Sequence, residues 1–447
     1  MTKHLENDAI ELDNKFMEET AQKPIENGLE TTKPVEEPVV RKQTGSHNRF
    51  FKISIILVIV ISIVLAGYFG SKLFFGAKTT EEIVIGYLAN QTNPGTSSFG
   101  IAARQGFELA VDEINAKGGL LGRKIKPVIF DDKADADISR KDMEQLVLTD
   151  KAIAVVGPAN SGSALNWLDL AQDNETIVLV PIATATEITQ RYKDRPRNFI
   201  FRDTSLDRDQ ITLYVSWIVN KTHNGKIAII HDSTPYGVNG EKDVANALSR
   251  WGKIPTLVAS FDRGISITDM AKMIRNAKAA GVDGICFFGL ADSTADFLKA
   301  MDLVPGYKPK ITGTAAAGDP LLWKLAGKSS ENLIFATGKD LNADYSAFEK
   351  KLEAKFPKKT TTTPGSATAS YDLMNFLADA INKAGVIDRE KIQESLENLS
   401  DVKGVFRTFK KPFTHDRHEA FTLDDLGLVH WKDGKLVLED SLKLEIR

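Results

Sequence analysis

Small and hydroxylated residues follow two short apolar runs near the middle of the chain, and such residues suit a site for a carboxylate or carbonyl group. The segment GPANSGS at 157–163 follows the apolar run 153–156, and the segment IATAT at 182–186 follows the run 177–180. Hydroxyl groups and the free N–H groups at helix starts attract anions. Because two such segments follow consecutive runs, we expect them to form one ligand-binding surface.

A simpler interpretation stays open for each hydroxyl taken alone. Ser161, Ser163 and Thr186 could each cap the helix that follows, since Ser and Thr are preferred at helix N-caps. Sequence alone does not separate a capping hydroxyl from a ligand-binding one.

Alternating strands and helices must position these residues. The short, branched runs are typical of buried parallel strands, and ligands bind beyond the carboxyl ends of such strands. More than ten strands is too many for one sheet, so the pattern predicts an α/β fold with two lobes. We predict strands at 83–88, 124–130, 153–156, 177–180, 199–202, 227–231, 254–261, 284–288 and 333–336, and short antiparallel strands within 406–444. We predict helices at 99–116, 138–148, 164–173, 208–220, 240–251, 268–280, 294–301, 343–355, 366–384 and 389–399.

Composition and spacing argue against several kinds of site. The 447-residue chain has a net charge of −3 with both signs mixed, so no basic surface indicates nucleic acid. The one cysteine, Cys286, lies in an apolar run and is predicted to be a buried, inert thiol. His415 with His418, and four Asp residues within 131–137, lack the further ligands of a metal site. We expect no metal, no cofactor and no catalytic residue set, and therefore no enzyme.

The N-terminal region differs from the rest of the chain. Residues 1–48 are acidic and rich in proline, which predicts a disordered tail. Residues 53–75 contain one charge, Lys72, near their end, and are long enough to cross a bilayer as a helix. The positive-inside rule then places the N-terminus in the cytoplasm. We expect an uncleaved anchor in the cytoplasmic membrane and a periplasmic or extracellular binding domain.

Four motifs in the rest of the chain resemble one known family. They are GFELAVDEINAKGGLLGRKI at 106–125, GPANSGSA at 157–164, PIATATEITQR at 181–191 and IAIIHDSTPYGVNG at 227–240. Together they resemble the periplasmic branched-chain amino-acid-binding proteins, the type I solute-binding family that serves ABC transporters. The likeness covers roughly residues 82–440.

The resemblance implies two Rossmann-like lobes joined by three hinge crossovers, which close around a small ligand. One lobe would comprise 82–203 with 338–418, and the other 204–337 with 419–447. Ser161 and Thr184 would hold the ligand's α-groups, and Tyr236 would close over it. The full set of ligand-binding positions that the resemblance implies is Ser98, Phe99, Ser161, Ser163, Ile182, Ala183, Thr184, Tyr236, Ala291 and Ala315.

Two of these positions depart from the family pattern. The family's acidic partner for the ligand's ammonium falls on Ala315, and a tyrosine of the second lobe falls on Ala291. An unpaired buried ammonium would cost about 3–5 kcal/mol. Asp319 or Asp292 could substitute, although each also suits a helix cap. The ligand is therefore expected to lack an α-ammonium or to be larger than the family's usual one.

The functional expectation is a membrane-tethered receptor that delivers a small polar ligand to ABC permease subunits. The ligand classes are an amino acid, an amide, a urea or a small carboxylate. One alternative is a sensing ectodomain that signals through a partner protein. Another is a degenerate binder without a ligand.

Overall fold

The computed structural model describes residues 81–93, 95–357 and 363–439. The tail predicted for residues 1–48 and the anchor predicted for residues 53–75 lie outside this part of the chain. Within it, no helix has both the length and the apolar character needed to cross a bilayer. The described residues form two lobes, each built on its own β-sheet.

Five parallel strands form the sheet of the first lobe, in the order β2-β1-β3-β4-β5. These strands are β1 (Ile83–Leu88), β2 (Ile125–Phe130), β3 (Ala154–Val156), β4 (Ile177–Val180) and β5 (Ile200–Arg202). Both faces of the central strands are buried: Leu179 faces one apolar cluster and Val178 the other. Burial on both faces explains why these runs are apolar at every position rather than alternating.

Seven strands form the sheet of the second lobe, in the order β14-β13-β10-β9-β8-β6-β7. They are β6 (Ile227–Asp232), β7 (Leu257–Phe261), β8 (Gly284–Phe288), β9 (Lys310–Gly313), β10 (Leu333–Gly338), β13 (Leu426–Lys432) and β14 (Lys435–Leu438). β6 to β10 run parallel, whereas β13 pairs antiparallel with β10 and with β14. A separate ribbon pairs β11 (Val402–Lys403) with β12 (Thr408–Phe409). The predicted two-sheet α/β architecture is confirmed.

Local chemistry explains where the predicted elements and the structure differ. β9 was not predicted, because Ile311 is its one aliphatic side chain and no apolar run marks it. Helix α6 (Pro235–Ser249) starts before the predicted 240–251, since Pro235 occupies its first turn, where a missing N–H costs nothing. The predicted C-terminal antiparallel strands are present as a hairpin whose two turn residues, Asp433 and Gly434, both have positive φ.

Helices cover both faces of each sheet. They are α1 (Ser97–Ala116), α2 (Ala136–Glu144), α3 (Ser161–Asp173), α4 (Glu187–Gln190), α5 (Asp207–Lys221), α6 (Pro235–Ser249), α7 (Ile267–Ala279), α8 (Ala291–Asp302), α9 (Pro320–Ala326), α10 (Ser346–Lys355), α11 (Pro364–Ala384) and α12 (Arg389–Glu397). The chain passes from the first lobe to the second after β5 and returns after β10, so that α11 packs in the first lobe. From the first lobe the chain then runs alongside β5 towards β13. The N–H of Arg202 in β5 donates to the carbonyl of His418 in this passing segment at 2.8 Å.

Helices α1 and α11 pack closely because a glycine lies at their contact. A Cβ added at Gly106 of α1 would lie 1.9 Å from the carbonyl oxygen of Ala367 in α11. Two non-bonded heavy atoms cannot lie that close, so any residue larger than glycine at this position would push the two helices apart. The close approach of an early and a late helix holds the first lobe together.

Replacing Gly106 by alanine is expected to lower the free energy of unfolding by about 1–3 kcal/mol or more, as overpacking of a core does. Urea denaturation followed by circular dichroism measures this. The matched control is Gly365→Ala in α11, where an added Cβ meets nothing within 4 Å. That variant should be as stable as the original chain or slightly more stable. Equal stability of the Gly106→Ala variant would contradict the packing described.

Candidate functional site

A cavity of about 840 Å³ lies between the lobes, beyond the carboxyl ends of strands from both sheets. The structure places most of the predicted ligand-binding residues on its wall: Phe99, Ser161, Ser163, Ile182, Ala183, Thr184, Tyr236 and Ala315. It does not place Ser98 or Ala291 there. Cavities of this size accommodate small organic ligands.

Ser161 is oriented across the first lobe and does not act as a helix cap. It is the first residue of α3, and its Oγ accepts a hydrogen bond from the N–H of Ala185 at 3.2 Å. The hydroxyl proton of Ser161 therefore remains able to donate to a ligand. Neither α3 nor α4 has a side-chain cap, so the capping interpretation is wrong for Ser161 and Ser163. Thr186 does cap a helix, but it is α5: its Oγ1 accepts from the N–H of Arg208 in the first turn of α5 at 3.0 Å. The first turn of α3 thus offers free N–H groups beside a hydroxyl, an arrangement that favours a carboxylate.

Tyr236 brings the second lobe to the same region. It lies in the first turn of α6 with only 7% of its surface exposed, and its ring centroid is 4.7 Å from that of Phe288. Burial raises the pKa of Tyr236 well above its usual value, whereas hydrogen bonding with Thr314 and Thr184 acts in the opposite direction. Its hydroxyl is therefore a neutral donor that lies between residues of both lobes.

A buried acidic residue, Asp207, contacts Thr184. The backbone N–H of Asp207 donates to the carbonyl of Thr184 at 2.9 Å. Burial raises the pKa of the Asp207 carboxyl to about 7, and hydrogen bonding by Thr184 opposes that shift. Asp207 is thus close to half protonated at neutral pH, and it supports the Thr184 segment from within the protein.

Two hydrogen bonds join the lobes at the rim of the cavity, and we call them the rim hydrogen bonds. The hydroxyl of Ser98 donates to Asp319 Oδ2 at 2.8 Å, and that of Thr186 donates to Asp243 Oδ2 at 2.7 Å. Ser98 therefore bonds the opposite lobe instead of lining the cavity. These contacts exist only while the lobes lie close together, so the structure represents a closed arrangement.

The alanine positions have different surroundings. Ala315 lines the cavity, and its N–H donates to Gln210 Oε1 at 3.1 Å. Ala291 begins α8 and is fully buried in the apolar cluster of the second lobe. Asp319 caps α9 through the N–H of Leu321, at 2.8 Å, and also accepts from Ser98. It does not line the cavity, so it does not replace the missing carboxylate at Ala315.

Several cavity residues were missed from sequence. Asp203 lines the cavity directly after β5 and was not among the predicted ligand-binding residues. The position of Asp203 after a strand was the available signal. Large aromatic side chains also line the cavity, and no local pattern marks them because their segments are distant in sequence: Trp323, Tyr345, Phe406, Phe421 and Trp431.

Metal and thiol chemistry have little support in the described part of the chain. No group of three or more His, Cys, Asp or Glu side chains there could hold a metal ion. Cys286 is buried, and burial raises the pKa of its thiol to about 12. The prediction of a buried thiol is confirmed, and a raised pKa disfavours the reactive thiolate.

A family model and a protein of known name both match most of the chain. A family model described as "Periplasmic binding protein" matches residues 82–435. A protein of Brucella melitensis named "Leu/Ile/Val-binding protein homolog 3" is 23% identical over 372 residues, which cover 83% of this chain and 96% of that protein.

Solved structures share the fold. A type 1 periplasmic binding protein from Bordetella pertussis matches 80% of this chain and 100% of its own, with a TM-score of 0.69 and 24% identity. A branched-chain amino acid transporter substrate binding protein from Streptococcus pneumoniae, in complex with isoleucine, matches 80% of this chain and 98% of its own. Its TM-score is 0.61 and its identity 22%.

Removing both rim hydrogen bonds should open the cavity. The double variant Ser98→Ala with Thr186→Val loses both rim hydrogen bonds, and also the bond that Thr186 Oγ1 accepts from the N–H of Arg208 at 3.0 Å. At about 1 kcal/mol for each bond, the ratio of open to closed molecules should rise at least roughly tenfold. Spin labels at Lys141→Cys and Lys272→Cys, one in each lobe, report the distance distribution, and buried Cys286 leaves the labelling specific. Ser249→Ala is the control, because its hydroxyl bonds only its own helix. An unchanged distance distribution in the double variant would show that these bonds do not hold the lobes.

Proposed function

The chain belongs to the periplasmic binding protein family, and from this premise we propose that it is the solute-binding component of an ABC transporter for an amino acid or a closely related small carboxylate. It is a binding protein rather than an enzyme, as are the relatives it resembles. The cavity between the lobes is the observation that carries the proposal, because both lobes contribute polar groups to it. The names of the relatives support an amino acid as the first candidate.

Binding would proceed by closure of the lobes around the ligand. The ligand carboxylate would first meet the Ser161 hydroxyl and the N–H groups of the first turn of α3, all of which belong to one lobe. Tyr236 would then add contacts that exist only when the second lobe is close. A ligand that binds the closed form better shifts the population toward it. The closed pair of lobes would present a composite surface for permease subunits to recognise.

The proposed location is the outer face of the cytoplasmic membrane. The uncharged run within residues 53–75 and the basic residues before it support an anchor with a cytoplasmic N-terminus. The two lobes would then act in the periplasm or outside the cell, tethered near the permease. Tethering would keep the receptor close to its transporter, which raises its effective concentration there.

Thermal unfolding of the full-length chain in detergent tests the ligand class. A ligand that binds only the folded form raises the melting temperature with its concentration. Leucine, isoleucine, valine and the other amino acids, together with simple amides, ureas and carboxylates, form the screen. We expect at least one amino acid or carboxylate to raise the melting temperature. No shift with any compound in the screen would refute the proposal.

Substituting Ser161 by alanine should weaken binding of that compound about 10- to 100-fold, since a hydrogen bond to a charged group contributes about 1.5–3 kcal/mol. Titration calorimetry measures the change. Ser249→Ala should bind as the original chain does, since Ser249 is exposed and far from the cavity wall. Unchanged affinity of the Ser161→Ala variant would mean that the anion site lies elsewhere in the cavity.

Cross-linking of the full-length chain in its native membrane identifies the partner. We expect permease subunits of an ABC transporter among the cross-linked proteins. Recovery of a sensor kinase without permease subunits would favour a sensing ectodomain instead.

A further inference from the structure

Asp203 is a buried acid on the cavity wall that the proposed carboxylate-binding role leaves without a purpose. It directly follows β5, and its N–H donates to the carbonyl of Val180 at 3.0 Å. Four charged side chains line the cavity: Asp203, Arg263, Asp340 and Lys435. Asp203 is buried, with 3% of its surface exposed, whereas the other three are exposed.

The Asp203 carboxyl group has an unused acceptor. Its Oδ1 is buried and has no hydrogen-bond partner. A buried polar atom without a hydrogen-bond partner destabilises the fold, so a side chain that holds one and lines a cavity is a candidate for contact with a ligand. A partner that donates protons would satisfy it.

The guanidinium of Arg407 lies near Asp203 but is not the hydrogen-bond partner of Asp203 Oδ1. Arg407 pairs with Asp425 at 2.9 Å and donates to the carbonyl of Ala420 at 3.1 Å. Its guanidinium carbon also lies 4.3 Å from the ring centroid of Phe409 and 4.1 Å from that of Phe421. These contacts hold Arg407 in place, so it acts on Asp203 only through its charge.

Sheet order separates Asp203 from the expected anion site. Ser161 follows β3, the Ile182–Thr184 segment follows β4, and Asp203 follows β5, while the three strands are neighbours in that order. Adjacent strands lie about 4.8 Å apart, so the ends of β3 and β5 are roughly 10 Å apart, with β4 between them. We therefore expect Asp203 to meet a different group of the ligand from the one that meets the loop after β3.

We propose that Asp203 binds a cationic amine of the ligand that lies several bonds away from the ligand's carboxylate. The inference rests on the proposed function and narrows its substrate class to amino acids or carboxylates with a distal amine. The carboxylate would bind at Ser161 and the start of α3, and the amine would bind at Asp203. The absence of an acid at Ala315 agrees best with a carboxylate whose only amine is distal, because such a ligand has no ammonium group next to its carboxylate. The 840 Å³ cavity is large enough for an extended ligand.

The charged groups around Asp203 make the binding of a distal amine depend on pH. Burial and the neighbouring carboxyl of Asp372 raise the pKa of Asp203 well above its usual value; Asp425 acts in the same direction and Arg407 opposes it. The raised pKa favours the neutral form of Asp203, so an ammonium group that pairs with the carboxylate releases a proton to solvent wherever Asp203 is protonated. Affinity for a distal amine should rise up to tenfold per pH unit while Asp203 is protonated. Asp372, whose pKa burial raises to about 7, titrates nearby and needs its own control.

Two matched pairs of compounds test the proposal on the full-length chain by calorimetry. L-lysine and L-norleucine differ by the distal amine, as do 6-aminohexanoate and hexanoate. We expect the amine-bearing member of each pair to bind at least tenfold more tightly. Asp203→Asn should weaken L-lysine binding at least ~100-fold and L-norleucine binding less than about threefold, since only the first loses a charged partner. Retained L-norleucine binding also shows that the variant is folded.

Asp372→Asn is the control for an indirect effect, because Asp372 is buried beside Asp203 without lining the cavity. It should leave the preference for L-lysine over L-norleucine intact. Equal binding of L-lysine and L-norleucine by the unaltered chain, or an equal loss of both in Asp203→Asn, would overturn the role of Asp203 while leaving the proposed function standing. Failure of every amino acid and carboxylate to bind would overturn both.

Discussion

The carboxyl ends of the parallel strands in both sheets face one cavity, and the remaining features of the site depend on that constraint. A parallel strand ends in a loop whose backbone groups have no ladder partner, so each loop must satisfy them by other means. In the first lobe the hydroxyl of Ser161 accepts from the backbone of the neighbouring loop. In the second, Thr314 donates to the carbonyl of Gly289 at 3.1 Å. The loops are thereby held in fixed positions while some of their donors still face the cavity.

The amount of structure predictable from sequence followed the strength of the local signal. The runs of β1, β4 and β8 were predicted to the residue, because each is fully apolar or nearly so and follows a polar residue. β9 has one aliphatic residue and gave no such signal. The lengths of α1 and α11 followed from their apolar faces, whereas their close contact at Gly106 depends on a pairing of distant segments.

In the candidate site too, residues with a local sequence signal were predictable and residues that depend on distant segments were not. Ser161 and Thr184 were predictable because they belong to continuous motifs that follow strands. Asp203 follows a strand too, but its relation to Ser161 requires the order of β3, β4 and β5, which sequence does not state. Trp431 and Phe421 reach the cavity from the end of the chain, so only the completed fold reveals them. The family resemblance supplied positions on the cavity wall but did not include Asp203, the buried acid there.

The hairpin of β13 and β14 carries a consequence for how the protein is made. β13 pairs with β10 inside the sheet of the second lobe, although it lies close to the C-terminus, and Trp431 from it packs in the core of that lobe. The second lobe therefore cannot finish its core until residues 426–432 have left the ribosome, well after β10. Domains generally fold as units during synthesis, but here the late strand delays the cooperative step. Between the synthesis of β10 and that of β13, the sheet of the second lobe has an unpaired edge, a state open to chaperones.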